Sequence, residues 1–69
     1  MKDYGKVVEF DGYVGKIVDN NGKEFLLLKE ELLTEEVLNK GDLVSFNPEK
    51  YEADEVQKNI ARFVRVLKK

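Results

Sequence analysis

A chain of 69 residues makes one domain, 1–69, near the lower limit at which a core supports itself. It holds no cysteine and no histidine. That excludes disulfide staples and cysteine-based zinc sites, and it removes the commonest metal ligand and the commonest general base. Twelve basic and fourteen acidic residues leave a net charge of −2, which lacks the basic excess of an obligate duplex-DNA binder but leaves single strands open to a local cluster of cations and rings.

Met1-Lys2-Asp3-Tyr4-Gly5 is not followed by an apolar stretch of the secretory type. No apolar run approaches the roughly 20 residues that span a bilayer, so the expected location is cytoplasmic. Lys6 to Phe10, rich in β-branched residues, reads as a first strand, and Asp11-Gly12 as a tight turn. Tyr13 to Asp19 reads as a second strand with Gly15 inside it, where a glycine marks a bulge, a bend or a close backbone approach. Asn20-Asn21-Gly22 is the clearest hairpin signal, because these residues tolerate the positive φ of a tight turn. Lys23 to Leu28 follows as a third strand.

The segment Lys29 to Lys40 changes period. Leu32, Leu33, Val37 and Leu38 recur at helical spacing among glutamates. Thr34 is placed to cap a short helix beginning at Glu35, with acidic residues in its first turn. One or two helical turns are expected; a single long helix would instead make the fold α+β. Leu43 to Asn47 reads as a fourth strand ended by Pro48, Glu49 to Gln57 as a polar loop, and Lys58 to Leu67 as a fifth strand before the charged Lys68-Lys69. Five strands with an interruption between the third and fourth predict an all-β fold. It is a small five-stranded antiparallel barrel of the oligonucleotide-binding type with a short helical segment.

Five stretches carry a family resemblance. Gly5-Lys6-Val7 looks like an opening Gly-x-Val, and Gly12-Tyr13-Val14-Gly15-Lys16-Ile17 looks like a shifted Lys-Gly-Tyr-Gly-Phe-Ile motif. Glu24 to Lys29 lies where Asp-Val-Phe-Val-His-Phe is expected. Leu38, Gly41, Val44 and Phe46 keep the spacing Leu-x-x-Gly-x-x-Val-x-Phe, and Ala61-Arg62-Phe63-Val64 is similar to a closing Ala-x-Asn-Val. Taken in order, from Gly5 to about Leu67, they resemble the cold-shock domain. The resemblance implies a sheet face on which aromatic rings stack single-stranded bases. On that face the family's first-strand Trp is replaced by Glu9, and later aromatics by Lys16, Leu26, Leu28 and Lys29. Phe10 and Tyr13 are the clear survivors.

The candidate nucleic-acid contacts are therefore Lys6, Phe10, Tyr13, Lys16 and Lys29. Each has a plainer alternative: Phe10 as a core ring, Tyr13 as a half-buried tyrosine, the lysines as solvated surface. Arg62 and Arg65 would point to opposite faces of a strand unless a bulge intervenes; an ion pair with an acid on a neighbouring strand is the expected role for one of them, with a phosphate contact as the alternative. The acidic residues read as solvated. No phosphate-cradling glycine loop and no nucleophile–base set is present, so no enzyme, cofactor or metal is expected. Two functions stay open. One is a weak single-stranded RNA or DNA binder with little sequence preference. The other is a protein-interaction or regulatory domain that kept the barrel and meets a partner through Leu26 and Leu28.

Overall fold

The structure, a computed structural model, describes residues 2–33, 38–53 and 56–67. Five strands, β1 (Asp3–Phe10), β2 (Val14–Asp19), β3 (Glu24–Leu28), β4 (Leu43–Ala53) and β5 (Val56–Val66), close into a barrel in the order β1-β2-β3-β5-β4. A single 3₁₀ turn, Lys29–Glu31, follows β3. This arrangement is compatible with the oligonucleotide-binding barrel that the resemblance implies.

The sheet is mixed, not antiparallel throughout. β1 pairs antiparallel with both β2 and β4, and β5 pairs antiparallel with β4. β5 therefore runs in the direction of β3, and the two meet in parallel at Leu26 and Ile60. Inside the barrel, alternate residues bury Val7, Ile17, Phe25, Leu27, Val44, Phe46, Ala61 and Val64, with Leu38 completing the core. The Phe25 and Phe46 rings meet tilted, with centroids 4.9 Å apart.

Two bulges set which way side chains face, because one extra residue moves all that follow to the other face. In β1 the ladder to β2 shifts between Val7 and Glu9. Uninterrupted alternation from the buried Val7 would bury Glu9 and expose Phe10. The extra residue Val8 reverses this, so Glu9 is exposed and Phe10 packs half-buried against the core. Gly15, the partner of Phe10, makes room: a Cβ there would collide with the Glu9 carbonyl oxygen and stand 2.9 Å from the Phe10 ring. In β5 the ladder to β4 pairs Ser45 with Arg65 but Asn47 with Arg62, which leaves Phe63 as the extra residue. Phe63 carries a φ of 54°, a left-handed conformation that costs a residue with a side chain about 1–2 kcal/mol.

The turn Asn20-Asn21-Gly22 does close the β2–β3 hairpin, with Gly22 at a φ of 82°. Its organiser is Asp19, only 8 % exposed. The Asp19 carboxylate accepts the backbone N–H groups of Asn21 and Lys23, each at 2.9 Å. Those amides, that of Lys23 foremost, hold the carboxyl below its ordinary value of 3.8, against the opposing effect of burial.

The second half departs from the sequence reading. Pro48 does not end β4, which runs on to Ala53, and the segment read as a loop from Glu49 to Gln57 is largely hairpin. β1 accompanies β4 only as far as Phe46. Beyond it one edge of β4 has no strand beside it, the setting in which a sheet accepts proline. The proposed helix cap at Thr34, the helix from Glu35 and the tail Lys68-Lys69 lie outside the described residues. The helical segment that is described amounts to the single 3₁₀ turn. Leu32 then bridges to Val64 on β5. Among the described residues, no helix is long and apolar enough to cross a membrane.

Candidate functional site

Tyr13 and Lys29 are brought together by the turn before β2 and the end of β3. The Asp11 carboxylate accepts the N–H groups of Tyr13 and Val14, each at 2.8 Å, and these two bonds, led by that of Val14, lower its pKa. The turn is thereby fixed. The Lys29 amide donates to the Tyr13 carbonyl at 2.9 Å, so both side chains leave the same end of the barrel. The Tyr13 ring is 69 % exposed. The Lys29 ammonium stands 5.1 Å from its centroid, inside the range of a cation–π contact. Val14 and Leu28, paired across the β2–β3 ladder, join them around an open notch with Glu30 on its rim. A flat ring, a cation and an apolar wall suit a stacked planar group with an anion beside it.

The other candidates are placed less favourably. Lys16 lies on the same outer face, next along β2, where its ladder partners are Leu26 and Glu9. Its ammonium is 3.4 Å from the Glu24 carboxylate. With Glu9 opposite and Glu24 in contact, the middle of this face carries little net positive charge. Lys6 stands far from Tyr13 along β1, between Val18 on β2 and Leu43 on β4. Phe10 does not stand on this face at all. It turns inward for the reason given by the bulge, leaving Tyr13 as the single aromatic ring exposed there. Leu26 and Leu28 point outward and are half-buried, while Leu27 is core.

Arg62 is a structural clamp. Its Nε and Nη2 donate to the two Glu49 carboxylate oxygens, each at 3.1 Å, and its Nη1 donates to Glu31 at 2.9 Å. The two carboxylates, Glu49 first, strengthen its hold on its proton. The clamp ties the 3₁₀ turn and β4 to β5. Glu31 and Glu49, read from the sequence as solvated acids, were its partners. Asp11 and Asp19 hold their turns in a role the sequence reading did not assign them; each precedes a glycine-containing turn, the signal by which an aspartate that bonds its own turn amides is found.

No protein-family model matches this chain, and no curated protein matches it.

Proposed function

We infer that the barrel is a weak single-stranded nucleic-acid-binding module of cold-shock type, with Tyr13 and Lys29 as its contact centre. The observation that carries this reading is the Lys29 ammonium held over the exposed Tyr13 ring beside the Val14–Leu28 wall. A base stacks on the open part of the ring, and the ammonium meets the neighbouring phosphate. One stacked base contributes about 1–3 kcal/mol, and one phosphate contact contributes a logarithmic salt slope of about −0.7. The expected affinity is correspondingly low, with Kd about 1 mM or weaker at low salt. Sequence preference is slight, since every base has a π-face.

The test is an amide chemical-shift titration with a short poly-pyrimidine strand at low salt. Shifts should gather at Tyr13, Val14, Lys16, Leu28 and Lys29 and shrink as salt is added. A flat titration with a dispersed spectrum would remove the reading. It would leave the second one, a protein-interaction or regulatory domain meeting its partner through Leu26 and Leu28. The observation favouring that alternative is the neutralised middle of the face, where Glu9 and Glu24 flank Lys16.

A further inference from the structure

The exposed apolar side chains of this barrel are not concentrated on the β2–β3 face. Tyr13 and Val14 are there. Tyr4, Leu43, Phe63 and Leu67 are exposed on β1, β4 and β5 or just beyond them, and Leu33 lies beside β5. In the strand order β4 stands across the barrel from β2 and β3, so this is a separate surface. Its rows are defined by the ladders. Tyr4 pairs with Ser45, and Ser45 with Arg65; the Ser45 side chain is nearly covered between them. Leu33 joins the same row, its amide donating to the Val64 carbonyl at 2.8 Å. In the next row Lys6 pairs with Leu43, whose carbonyl accepts the Leu67 amide. Lys6, Leu43 and Leu67 line an open notch of about 200 Å³ together with Gly41 and Asp42.

Two features mark this surface as a contact site for an anion with planar groups. Phe63 holds a left-handed backbone at the β5 bulge while its ring is 57 % exposed. The packing of its covered part does little more than offset the strain, and strain of this kind concentrates at ligand contacts. The second feature is charge. Among the described residues Arg65 and Lys6 have no carboxylate partner, unlike Lys16 and Arg62. Two acids lie close by and keep their charge, Asp3, which accepts the Tyr4 amide at 2.8 Å, and Asp42, which accepts the Asn39 amide at 2.9 Å, but neither forms an ion pair with Lys6 or Arg65. Two exposed rings beside two cations that form no ion pair among the described residues complement a phosphodiester strand better than the β2–β3 face, where Glu9, Glu24 and Glu30 stand close to Lys16 and Lys29.

We propose that this β1–β4–β5 surface, with Tyr4, Phe63, Arg65 and Lys6, is a second contact site for the same single strand. It rests on the reading above and extends it. Lys6, paired with Val18 of β2 on one side and Leu43 of β4 on the other, lies where the two surfaces meet and is the cation a strand crosses between them. The short strand of the first site then reaches only Tyr13 and Lys29, whereas a longer one engages both.

Fluorescence anisotropy at low salt tests this with short and long poly-pyrimidine strands of about four and about twelve nucleotides, within the range one such barrel covers. The proteins are wild type, Tyr13→Ala, and the double variant Phe63→Gly/Arg65→Gln, in which release of backbone strain by glycine offsets the packing lost with the ring, so that folding is kept. The double variant should weaken long-strand binding at least about fivefold, the lower end for one stacked base, and leave short-strand binding unchanged. Equal long-strand affinity in wild type and double variant overturns the second site while the first stands. Loss of all binding in the double variant, with Tyr13→Ala unaffected, overturns the Tyr13 centre and supports the second surface. A wild type that binds neither strand overturns both. So does one that binds neither but sediments as a concentration-dependent dimer dispersed by the double variant, which assigns the surface to a second copy.

Discussion

Phe63 offers a test of the bulge that needs no ligand. Its φ of 54° lies where a side chain costs about 1–2 kcal/mol and glycine costs nothing sterically. Removing the ring also loses packing. With 57 % of the residue exposed, the covered remainder of a ring that buries about 150–250 Å² when enclosed amounts to roughly 65–110 Å². At about 25 cal/mol per Å² that contributes at most about 2–3 kcal/mol. Strain relief and lost packing thus nearly cancel when Phe63→Gly is compared with wild type. The informative comparison is between Phe63→Ala and Phe63→Gly, which lose the same ring. At an ordinary strand position the alanine variant is the more stable, by about 0.5–1 kcal/mol of backbone entropy. At a left-handed position the order reverses, and Phe63→Gly should exceed Phe63→Ala by about 0.5–1 kcal/mol. For a domain of this size that is a melting-temperature difference of about 2–8 °C. Urea and thermal unfolding followed by circular dichroism measure it. An alanine variant as stable as the glycine variant would refute the bulge and with it the strain argument.

Three further outcomes follow from the geometry. Gly15→Ala should cost at least about 1–3 kcal/mol, because the new Cβ meets the Glu9 carbonyl and the Phe10 backbone, neither of which can swing aside; unchanged stability in urea would mean that Phe10 does not lie over Gly15. Asp19 has a folded pKa below its unfolded value, so its contribution is fully present above about pH 4 and disappears as pH falls through the lowered value. Asp19→Asn, which can still accept the turn amides, should therefore lose less melting temperature than wild type between pH 5 and pH 2, and parallel losses would contradict this linkage. Glu24→Gln releases Lys16 from its 3.4 Å partner and should strengthen oligonucleotide binding at low salt, steepening the logarithmic salt slope by about 0.7; a salt slope unchanged from wild type would show that no phosphate passes Lys16.

The first three strands and the β2–β3 hairpin were legible because each signal there is local. Alternating apolar residues on a half-buried strand and a glycine-containing turn need no knowledge of the rest of the chain. The far half of β4 and the near half of β5 were not legible for a physical reason. From Pro48 to Lys58 the two strands mostly pair only with each other, so exposed Glu49, Lys50, Tyr51, Gln57 and Lys58 show no buried face. A polar ribbon and a polar loop look alike in composition. The direction of Phe10 was hidden by the Val8 bulge, and the shared face of Arg62 and Arg65 by the Phe63 bulge, since counting alternation fails wherever one extra residue enters. A sign was present at the first: an aromatic paired opposite a strand glycine covers it. Tyr13 was placed by its turn alone, which is why its exposure was legible while its pairing with Lys29, a contact between strands, was not.

The outer faces carry whatever record of function this barrel keeps, because they are largely free of the demands of folding. Val7, Ile17, Leu27, Val44, Phe46 and Val64 fill the interior, and they would do so whichever charges stood outside. Exposed ion pairs contribute little to stability, typically about 0–1 kcal/mol. The Lys16–Glu24 pair is therefore not needed to hold β2 to β3, which the backbone ladder already joins. Its consequence is electrostatic: it removes from the middle of the β2–β3 face the positive field that would draw a phosphate backbone along it. Around the barrel, Lys6 and Arg65 form no ion pair among the described residues. On the proposed reading, a strand held at one end by Tyr13 and Lys29 gains little at Lys16 itself; its next favourable contact is Lys6, opposite Val18 in the next outward-facing row of the ladder, with the two rings and the arginine beyond. On that reading the charge pattern sets the order of the contacts as well as their identity.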